Sequence, residues 1–220
     1  MSASYIEPDF GAAALLTIDV QQDTLDGGAL EVPGTSASLP VMRELANAFR
    51  AARRPIVHVV RLYRRDGSNA DLCRRALIEC GGAILAPGEP GSELAEGLTC
   101  ETAPRLDPEL LLAGRLQELG PDEVAIYKPR WGAFYGTALE EHLRRLDVTT
   151  LVFCGCNFPN CPRTSIYEAS ERDFRVVLAE DAVSGLSDKG REELRDIGVQ
   201  LLSTAEIVQS VGQPTQVGTA

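Results

Sequence analysis

The stretch Thr150–Ala179, TLVFCGCNFPNCPRTSIYEASERDFRVVLA, contains a complete strand, loop, helix and strand pattern. Its largely apolar start, Thr150–Cys154, predicts a buried strand that Gly155 closes. Thr164–Arg172 then predicts a helix, and Arg175–Ala179 predicts a second strand. Because two strands joined by a helix indicate a parallel βαβ unit, this stretch decides the fold class.

The same alternation continues on both sides of this stretch. Apolar runs predict further strands at Ala13–Ile18, Ile56–Val60, Val124–Tyr127 and Val199–Leu202. Helical spacing of apolar residues predicts helices at Leu39–Arg54, Asn69–Glu79, Asp107–Leu119, Thr137–Leu146, Lys189–Ile197 and Thr204–Val211. Strands that are apolar throughout are typical of a parallel sheet covered on both faces, so we predict a three-layer α/β/α sandwich. We expect residues 1–220 to form one domain, with loosely ordered tails at 1–11 and 212–220.

Composition argues against several classes of protein. Hydrophobic residues make up 44% of the 220 residues and charged residues 24%, which is an ordinary globular mixture. The net charge of −11 would repel a phosphate backbone, so we expect no nucleic-acid partner. No apolar run is long enough to cross a bilayer and no export signal is visible. We therefore expect no membrane partner and a cytoplasmic location.

The motifs of several common sites are also missing. The six cysteines include no C-x-x-C pair, and we expect no disulfide framework. The sequence contains no G-x-S-x-G, G-x-G-x-x-G or G-x-x-x-x-G-K-[ST] motif. We interpret the two histidines, His58 and His142, as structural residues rather than ligands.

Polar residues follow three of the predicted strands at their carboxyl ends. Asp19 follows the first strand, Lys128 follows Tyr127, and Cys161 lies in the loop after Gly155. Ligands bind beyond the carboxyl ends of the strands in such sheets, and a carboxylate, a cation and a thiol suit nucleophilic catalysis. Lys128 is one of only two lysines among 21 basic residues, which indicates a position that arginine cannot fill.

The loop Gly155–Pro162 makes Cys161 the strongest candidate nucleophile. Pro162 suits the first position of a helix, so we expect Cys161 to be the N-cap residue. The positive end of the helix dipole would then favour the thiolate. Free backbone N–H groups at the same place would hold an oxyanion. We interpret Cys154 and Cys156 as small buried apolar residues.

Three segments resemble the signature blocks of the isochorismatase-like cysteine hydrolases. They are Ala14–Gln21 (ALLTIDVQ), Tyr127–Thr137 (YKPRWGAFYGT) and Leu151–Ala182 (LVFCGCNFPNCPRTSIYEASERDFRVVLAEDA). The resemblance covers most of the chain and implies a six-stranded parallel sheet in the order 3-2-1-4-5-6. It also implies a catalytic triad of Asp19, Lys128 and Cys161, a homodimer or homotetramer, and a cis peptide bond between Cys156 and Asn157.

We also predict roles for the residues that surround these three. We expect the backbone N–H groups of Asn157 and Cys161 to hold the oxyanion, in a nucleophile loop that includes Cys156. We predict a substrate pocket lined by Trp131, Phe134, Phe158 and Gln21. The family usually has threonine at the position of Phe158 and an aliphatic residue at that of Pro162. His58 stands alone where the metal-binding branch has several histidines, so we predict no metal and no cofactor.

These inferences predict an amidohydrolase that cleaves a C–N bond of a small amide, ureide or lactam through a thioester on Cys161. Two alternatives stay open: a hydrolase of the isochorismate vinyl ether, which needs no cysteine nucleophile, and an inactive binding member of the family. A reversible disulfide between Cys156 and Cys161 would instead indicate a redox sensor.

The charge of the substrate is open as well. Acidic residues that follow Asp19 favour a cationic substrate: Asp23, Asp26 and Glu31. Arginines after the second strand and near the nucleophile favour a carboxylate: Arg61, Arg64, Arg65 and Arg163. The two observations conflict, and the sequence does not decide between them.

Overall fold

A computed structural model describes residues 5–213 of the chain. Its seven strands, numbered along the chain, form one sheet. The strands are β1 (Ala13–Ile18), β2 (Ile56–Val60), β3 (Gln117–Gly120), β4 (Glu123–Tyr127), β5 (Thr150–Gly155), β6 (Arg175–Val183) and β7 (Gln200–Leu202). Their order in the sheet is β3-β4-β2-β1-β5-β6-β7. All strands except β3 are parallel, and the order of these six parallel strands is the predicted 3-2-1-4-5-6.

The prediction of six strands is wrong by one edge strand. β3 pairs antiparallel with β4, where the sequence predicts a helix over Asp107–Leu119. The helix that forms, α3 (Pro108–Leu112), has only five residues. Gly114 follows it with a φ of +77°, a left-handed conformation that ends helices. The chain then returns to the sheet as β3.

Helices cover both faces of the sheet. α1 (Thr35–Ala51) and α7 (Thr204–Val211) contribute to the apolar core on one face. α4 (Leu139–Arg145), α5 (Cys161–Ser170) and α6 (Asp188–Asp196) contribute to the core on the other face. The predicted three-layer α/β/α arrangement is therefore confirmed.

Alternate residues of β1 enter these two cores. Ala13 and Leu15 pack with α1 and α7, whereas Leu16 and Ile18 pack with the helices on the opposite face. The whole strand is buried, which explains why it is apolar throughout. A central strand of this kind places its carboxyl end, and Asp19 after it, in the middle of one edge of the molecule.

The connection after β2 differs from its predicted form. The helix expected at Asn69–Glu79 is shorter, because α2 spans Leu72–Glu79. The Asn69 side chain instead donates hydrogen bonds to the Leu62 carbonyl at 2.9 Å and the Tyr127 hydroxyl at 2.8 Å. Asn69 therefore ties this connection to the end of β4.

The two segments expected to be loose tails are 1–11 and 212–220. Residues 1–4 and 214–220 lie outside the described residues. Within the expected tail at 1–11, the Asp9 N–H donates to the Thr150 hydroxyl at 2.9 Å. The Asp9 side chain accepts a hydrogen bond from the Gly11 N–H and so caps a 3₁₀ turn at Phe10–Ala12. That part of the amino-terminal segment is attached to β5 rather than loose. In residues 5–213, no helix combines the length and apolar character needed to span a bilayer.

Candidate active site

The ends of three strands bring Asp19, Lys128 and Cys161 into contact. The Lys128 ammonium lies 3.0 Å from Asp19 Oδ2 and 3.2 Å from Cys161 Sγ. Lys128 follows β4, which β2 separates from β1, so its side chain must reach across the strand between them. Its backbone N–H donates to the Val60 carbonyl at 3.0 Å, and its side chain is only 1% exposed. The sheet thus holds this cation in a fixed, buried position.

Asp19 lies at a sharp bend after β1. Its φ is +54°, a left-handed conformation that is uncommon outside glycine. Its N–H donates to the Val59 carbonyl at 2.9 Å, and its own carbonyl accepts bonds from Thr24 Oγ1 at 3.0 Å and Cys156 Sγ at 3.2 Å. These contacts fix the carboxylate against Lys128, with its Oδ1 atom buried and without a hydrogen-bond partner among residues 5–213.

Cys161 is the first residue of α5, and Asn160 is the N-cap. The predicted N-cap position of Cys161 is therefore wrong by one residue, because Pro162 occupies the second helical position rather than the first. The Cys161 carbonyl accepts a bond from the Ser165 hydroxyl at 2.7 Å, which in turn accepts one from the Ala133 N–H at 3.0 Å. This chain of bonds connects the nucleophile position to the segment after Lys128.

The loop before Cys161 packs tightly against β1. Gly155 has a φ of +121°, and a Cβ there would lie 2.2 Å from the Ile18 carbonyl oxygen. The same oxygen accepts a hydrogen bond from the Cys156 N–H at 2.9 Å. The described residues contain no cis peptide bond, so the cis bond implied between Cys156 and Asn157 is absent.

Two backbone N–H groups of this loop point to no acceptor. In the described part of the chain, neither Asn157 nor Cys161 donates a backbone hydrogen bond. Arg163, by contrast, donates to the Phe158 carbonyl at 3.1 Å, and Pro162 has no N–H to offer. The donors available beside the thiol are therefore the two that the sequence predicts for an oxyanion.

The electrostatics of the three side chains differ from the prediction in one respect. Burial and the Asp19 carboxylate raise the pKa of the Cys161 thiol, and Lys128 offsets them only in part. Burial lowers the pKa of Lys128, but the two facing groups outweigh burial and raise it. Burial and the facing carboxylate therefore oppose the thiolate that the helix start is predicted to favour. The ion pair of Lys128 and Asp19 lies directly beside the thiol group.

A cleft opens onto these groups. Its wall combines the ends of β1, β4 and β5 with residues that follow β2. The lining residues are Asp19, Thr24, Leu30, Val32, Arg61, Tyr63, Asp71, Arg74, Leu85, Lys128, Trp131, Cys156, Asn157, Asn160 and Cys161. Its mixture of apolar and polar groups suits a small organic ligand.

Of the four predicted pocket residues, only Trp131 lines the cleft. Phe134 packs in the core, with its ring 5.9 Å from that of Phe174. Phe158 also enters the core, against Gly190, where a Cβ would lie 2.5 Å from the ring. Gln21 is fully buried and donates to the Arg61 and Ser92 carbonyls, so it clamps the loops behind the cleft.

The sequence does not predict the part of the cleft wall that follows β2, apart from Arg61. Tyr63, Asp71 and Arg74 come from the segment between β2 and β3, in which no motif stands out. The one sequence feature that points to this part of the wall is the cluster of arginines after β2, of which Arg61 lines the cleft. Burial raises the pKa of Tyr63, whose hydroxyl donates to Asp71 Oδ2 at 2.9 Å.

His58 belongs to a buried polar network away from the cleft. Its Nδ1 lies 2.8 Å from the Thr17 hydroxyl, and its Nε2 lies 2.8 Å from Glu123 Oε1. Arg50 also donates to Glu123, at 2.8 and 2.9 Å. Both ring nitrogens of His58 thus have structural partners. Within residues 5–213, no group of three or more His, Cys, Asp or Glu side chains is arranged to hold a metal ion.

Comparison with known proteins places this geometry in a family. The model of the Isochorismatase domain matches residues 13–206. The ureidoacrylate amidohydrolase RutB of Methylorubrum extorquens is 30% identical over 184 residues, which are 78% of this chain and 70% of that protein. A probable inactive nicotinamidase of Arabidopsis thaliana is 28% identical over 195 residues, 85% of this chain and 90% of that protein.

The structural comparison agrees with the sequence comparison. The crystal structure of an isochorismatase family protein from Desulfovibrio vulgaris subsp. vulgaris matches with a TM-score of 0.77 and 30% identity. That match covers 92% of this chain and 99% of the other. The similar proteins include an amidohydrolase and a protein named as inactive, so similarity alone leaves the activity undecided. The chain belongs to the isochorismatase family.

Proposed function

We propose that this protein is a cysteine hydrolase that cleaves a C–N bond of a small amide-type molecule through a thioester on Cys161. One observation carries the proposal: a single buried ammonium, Lys128, lies 3.0 Å from the Asp19 carboxylate and 3.2 Å from the Cys161 sulfur. An acid–base group, a cation and a nucleophile in mutual contact are the parts that covalent catalysis requires.

The first half of the reaction starts from a neutral thiol. Asp19 accepts the Cys161 proton as the sulfur attacks the carbonyl carbon of the substrate, because burial and the facing carboxylate raise the pKa of the thiol and so disfavour ionisation before attack. Lys128 faces both groups and stabilises the negative charge wherever it resides. The tetrahedral oxygen accepts hydrogen bonds from the free N–H groups of Asn157 and Cys161.

The second half regenerates the thiol. Asp19 returns its proton to the departing nitrogen as the C–N bond breaks, which releases ammonia or an amine and leaves a thioester on Cys161. Asp19 next takes a proton from a water molecule as that water attacks the thioester. Collapse of this intermediate releases a carboxylic acid, and the proton on Asp19 returns to sulfur. The sum is one water consumed for each amide hydrolysed.

Ammonia release over a panel of amides, ureides and lactams tests this proposal. Cys161→Ala should lose turnover by at least about 10³-fold, because nucleophile and base act as a unit. Cys73→Ser is the matched control, because Cys73 is exposed and lies outside the cleft. Intact-mass spectrometry of the quenched wild-type reaction should show an acyl adduct, and peptide mapping should place it on Cys161.

The same assay separates the alternatives. Pyruvate release from isochorismate without ammonia release from any amide would identify a vinyl-ether hydrolase. Full turnover by Cys161→Ala would exclude the covalent scheme. Absence of turnover on the whole panel, with a folded protein, would identify a binding member of the family.

A further inference from the structure

Five charged side chains line the cleft, and their charges do not cancel. They are Asp19, Arg61, Asp71, Arg74 and Lys128, which together carry one excess positive charge. This excess is unusual in its context, because the whole chain carries a net charge of −11. A positively charged cleft concentrates anionic ligands, even on a protein whose net charge is negative.

Four of the five charges compensate one another within the wall. Lys128 pairs with Asp19 at 3.0 Å, and Arg61 pairs with Asp71 at 3.2 Å. The Nη atoms of Arg61 also donate to protein oxygens: Tyr127 Oη at 2.8 Å, Lys128 O at 3.1 Å and Asn69 O at 2.9 Å. Its Nε is buried and has no hydrogen-bond partner among residues 5–213. Arg61 is therefore part of the framework of the wall rather than a group free to hold a ligand.

Arg74 is the one charged residue of the five that is not paired with another. It lies in the first turn of α2, is partly exposed, and has no hydrogen bond or ion pair from its side chain to any of residues 5–213. Its neighbour on the helix, Arg75, does not line the cleft. A guanidinium that borders a small-molecule cleft and has no protein partner offers two parallel donors, which match the two oxygens of a carboxylate.

The other charged residues that the sequence raises as candidates do not reach the cleft. Arg65 pairs with Glu89, and Arg163 pairs with Glu193 at 2.6 Å. Asp23, which suggests a cationic substrate, accepts a hydrogen bond from the Leu85 N–H and is not a lining residue. Among the charged candidates, the residues that line the cleft therefore favour an anionic ligand over a cationic one.

We propose that Arg74 determines specificity by binding a carboxylate of the substrate, so that the protein acts on amides or ureides that carry an acidic group. The inference rests on the proposed function, because it concerns the same cleft. Unlike that function, the inference concerns substrate binding alone, so a catalytically inactive variant can test it.

Cys161→Ala serves as the background for the binding experiment. Ligand-observed NMR would measure dissociation constants for a series of N-carbamoyl amino acids of increasing chain length and for the methyl ester of each. At the chain length that fits best, the acid should bind at least about tenfold more tightly than its ester. Arg74→Met, which removes the charge and keeps an apolar stem, should abolish that difference.

Two further variants sharpen the result. Arg75→Met is the matched control on the same helix and should keep the preference for the acid. Arg74→Glu should reverse the preference, so that a cationic amide such as glycinamide binds more tightly than the acid. Thermal denaturation of each variant confirms that α2 remains folded.

The outcomes of this binding experiment can be distinguished from those of the tests of catalysis. Equal binding of acid and ester, a preference that survives Arg74→Met, or failure of every acid in the series to bind would each overturn the inference. The covalent mechanism is tested by ammonia release and by the acyl adduct in the wild type. An enzyme that hydrolyses only neutral amides would keep the proposed function and reject the role of Arg74.

Discussion

The Lys128 ammonium donates a hydrogen bond to the Cys161 sulfur over 3.2 Å in a site that the protein almost completely buries. Such a contact would normally indicate a thiolate, yet burial and Asp19 together raise the pKa of the thiol. Lys128 is therefore best placed to stabilise the charge that forms when Asp19 removes the proton. In a buried site, a fixed charge of this kind needs no reorganisation at the moment of reaction.

Lys128→Met should impair both catalysis and stability. We expect kcat to fall at least about 10²-fold, because the developing charge on Cys161 and Asp19 loses its facing cation. We expect the free energy of unfolding to fall by about 3–5 kcal/mol, because Asp19 remains buried without its partner. Steady-state kinetics and urea denaturation measure the two effects.

The other lysine provides the control. Lys189 is exposed and lies 3.8 Å from Glu193 in an i,i+4 pair on α6, so Lys189→Met should cost no more than about 0.5 kcal/mol. Its kcat should equal that of the wild type. Wild-type kcat in Lys128→Met would show that the buried cation is a structural element only.

Asp19→Asn should separate thiol reactivity from catalysis. Asp19 raises the pKa of Cys161 and Lys128 lowers it, so removing the carboxylate should lower the pKa and increase the thiolate fraction. Alkylation of Cys161 by iodoacetamide should become faster at a given pH, whereas turnover should fall at least about 10²-fold for lack of a base. Peptide mass spectrometry over a pH series measures the first effect.

Cys73 is exposed, so its alkylation rate provides an internal reference for the reagent concentration and the pH in that experiment. In the wild type, Cys161 should react slowly near pH 7 and faster as the pH rises. Preferential alkylation of wild-type Cys161 below pH 7 would mean that the thiolate is present at rest. Slower alkylation in Asp19→Asn would mean that the carboxylate promotes ionisation instead of opposing it.

The sequence predicts the sheet and the meeting of Asp19, Lys128 and Cys161 because both depend on local signals. A strand buried on two faces must be apolar along its length, and polar residues that follow such strands gather at one edge. Neither signal depends on how distant loops fold. The edge strand Gln117–Gly120 escapes prediction because it is short, and its place depends on the turn at Gly114.

The wall of the cleft is a different case, because its residues depend on tertiary contacts. Phe158 lies in a loop beside the nucleophile and is predicted to face a ligand, but the small Gly190 lets its ring enter the core. Asp71 and Arg74 reach the cleft because Asp71 pairs with Arg61 and so fixes the start of α2. No periodicity in a single sequence reveals such a pairing.

Glu123→Gln should remove the part of the folding stability that the wild type loses at acid pH. Burial raises the pKa of Glu123, but hydrogen bonds from His58 and Arg50 outweigh it and lower the pKa to about 2. Since the folded pKa lies below the unfolded value of about 4.3, the network stabilises the fold above that value and loses its effect as the pH falls towards 2. The variant should lose about 3 kcal/mol at pH 7 and show a flatter stability curve below pH ~4.5.

Urea denaturation at several pH values measures this effect. Glu96→Gln is the matched control, because Glu96 is exposed and its carboxylate has no ion pair within residues 5–213. The control should reproduce the wild-type curve. A Glu123→Gln curve parallel to that of the wild type across the acid range would show that the pKa of Glu123 is not lowered in the folded state.

Gly155→Ala should damage the nucleophile loop and the sheet together. The Cβ would lie 2.2 Å from the Ile18 carbonyl oxygen, and the φ of +121° is one that alanine rarely adopts. Relief of the clash must move β5 away from β1, so we expect a loss of about 3 kcal/mol from strain and overpacking. Because the loop carries the N–H groups of Asn157 and Cys161, kcat should fall by about 10²-fold and more than KM rises.

Thermal denaturation and steady-state kinetics test this prediction, with Gly212→Ala as the control. Gly212 has a φ of −76°, and the nearest atom to a Cβ there is 3.4 Å away, so alanine fits without strain. The control should be as stable as the wild type or up to about 1 kcal/mol more stable, through a smaller entropy of its unfolded chain. If Gly155→Ala kept wild-type stability and kcat, the close approach of β5 to β1 would not be what positions the loop.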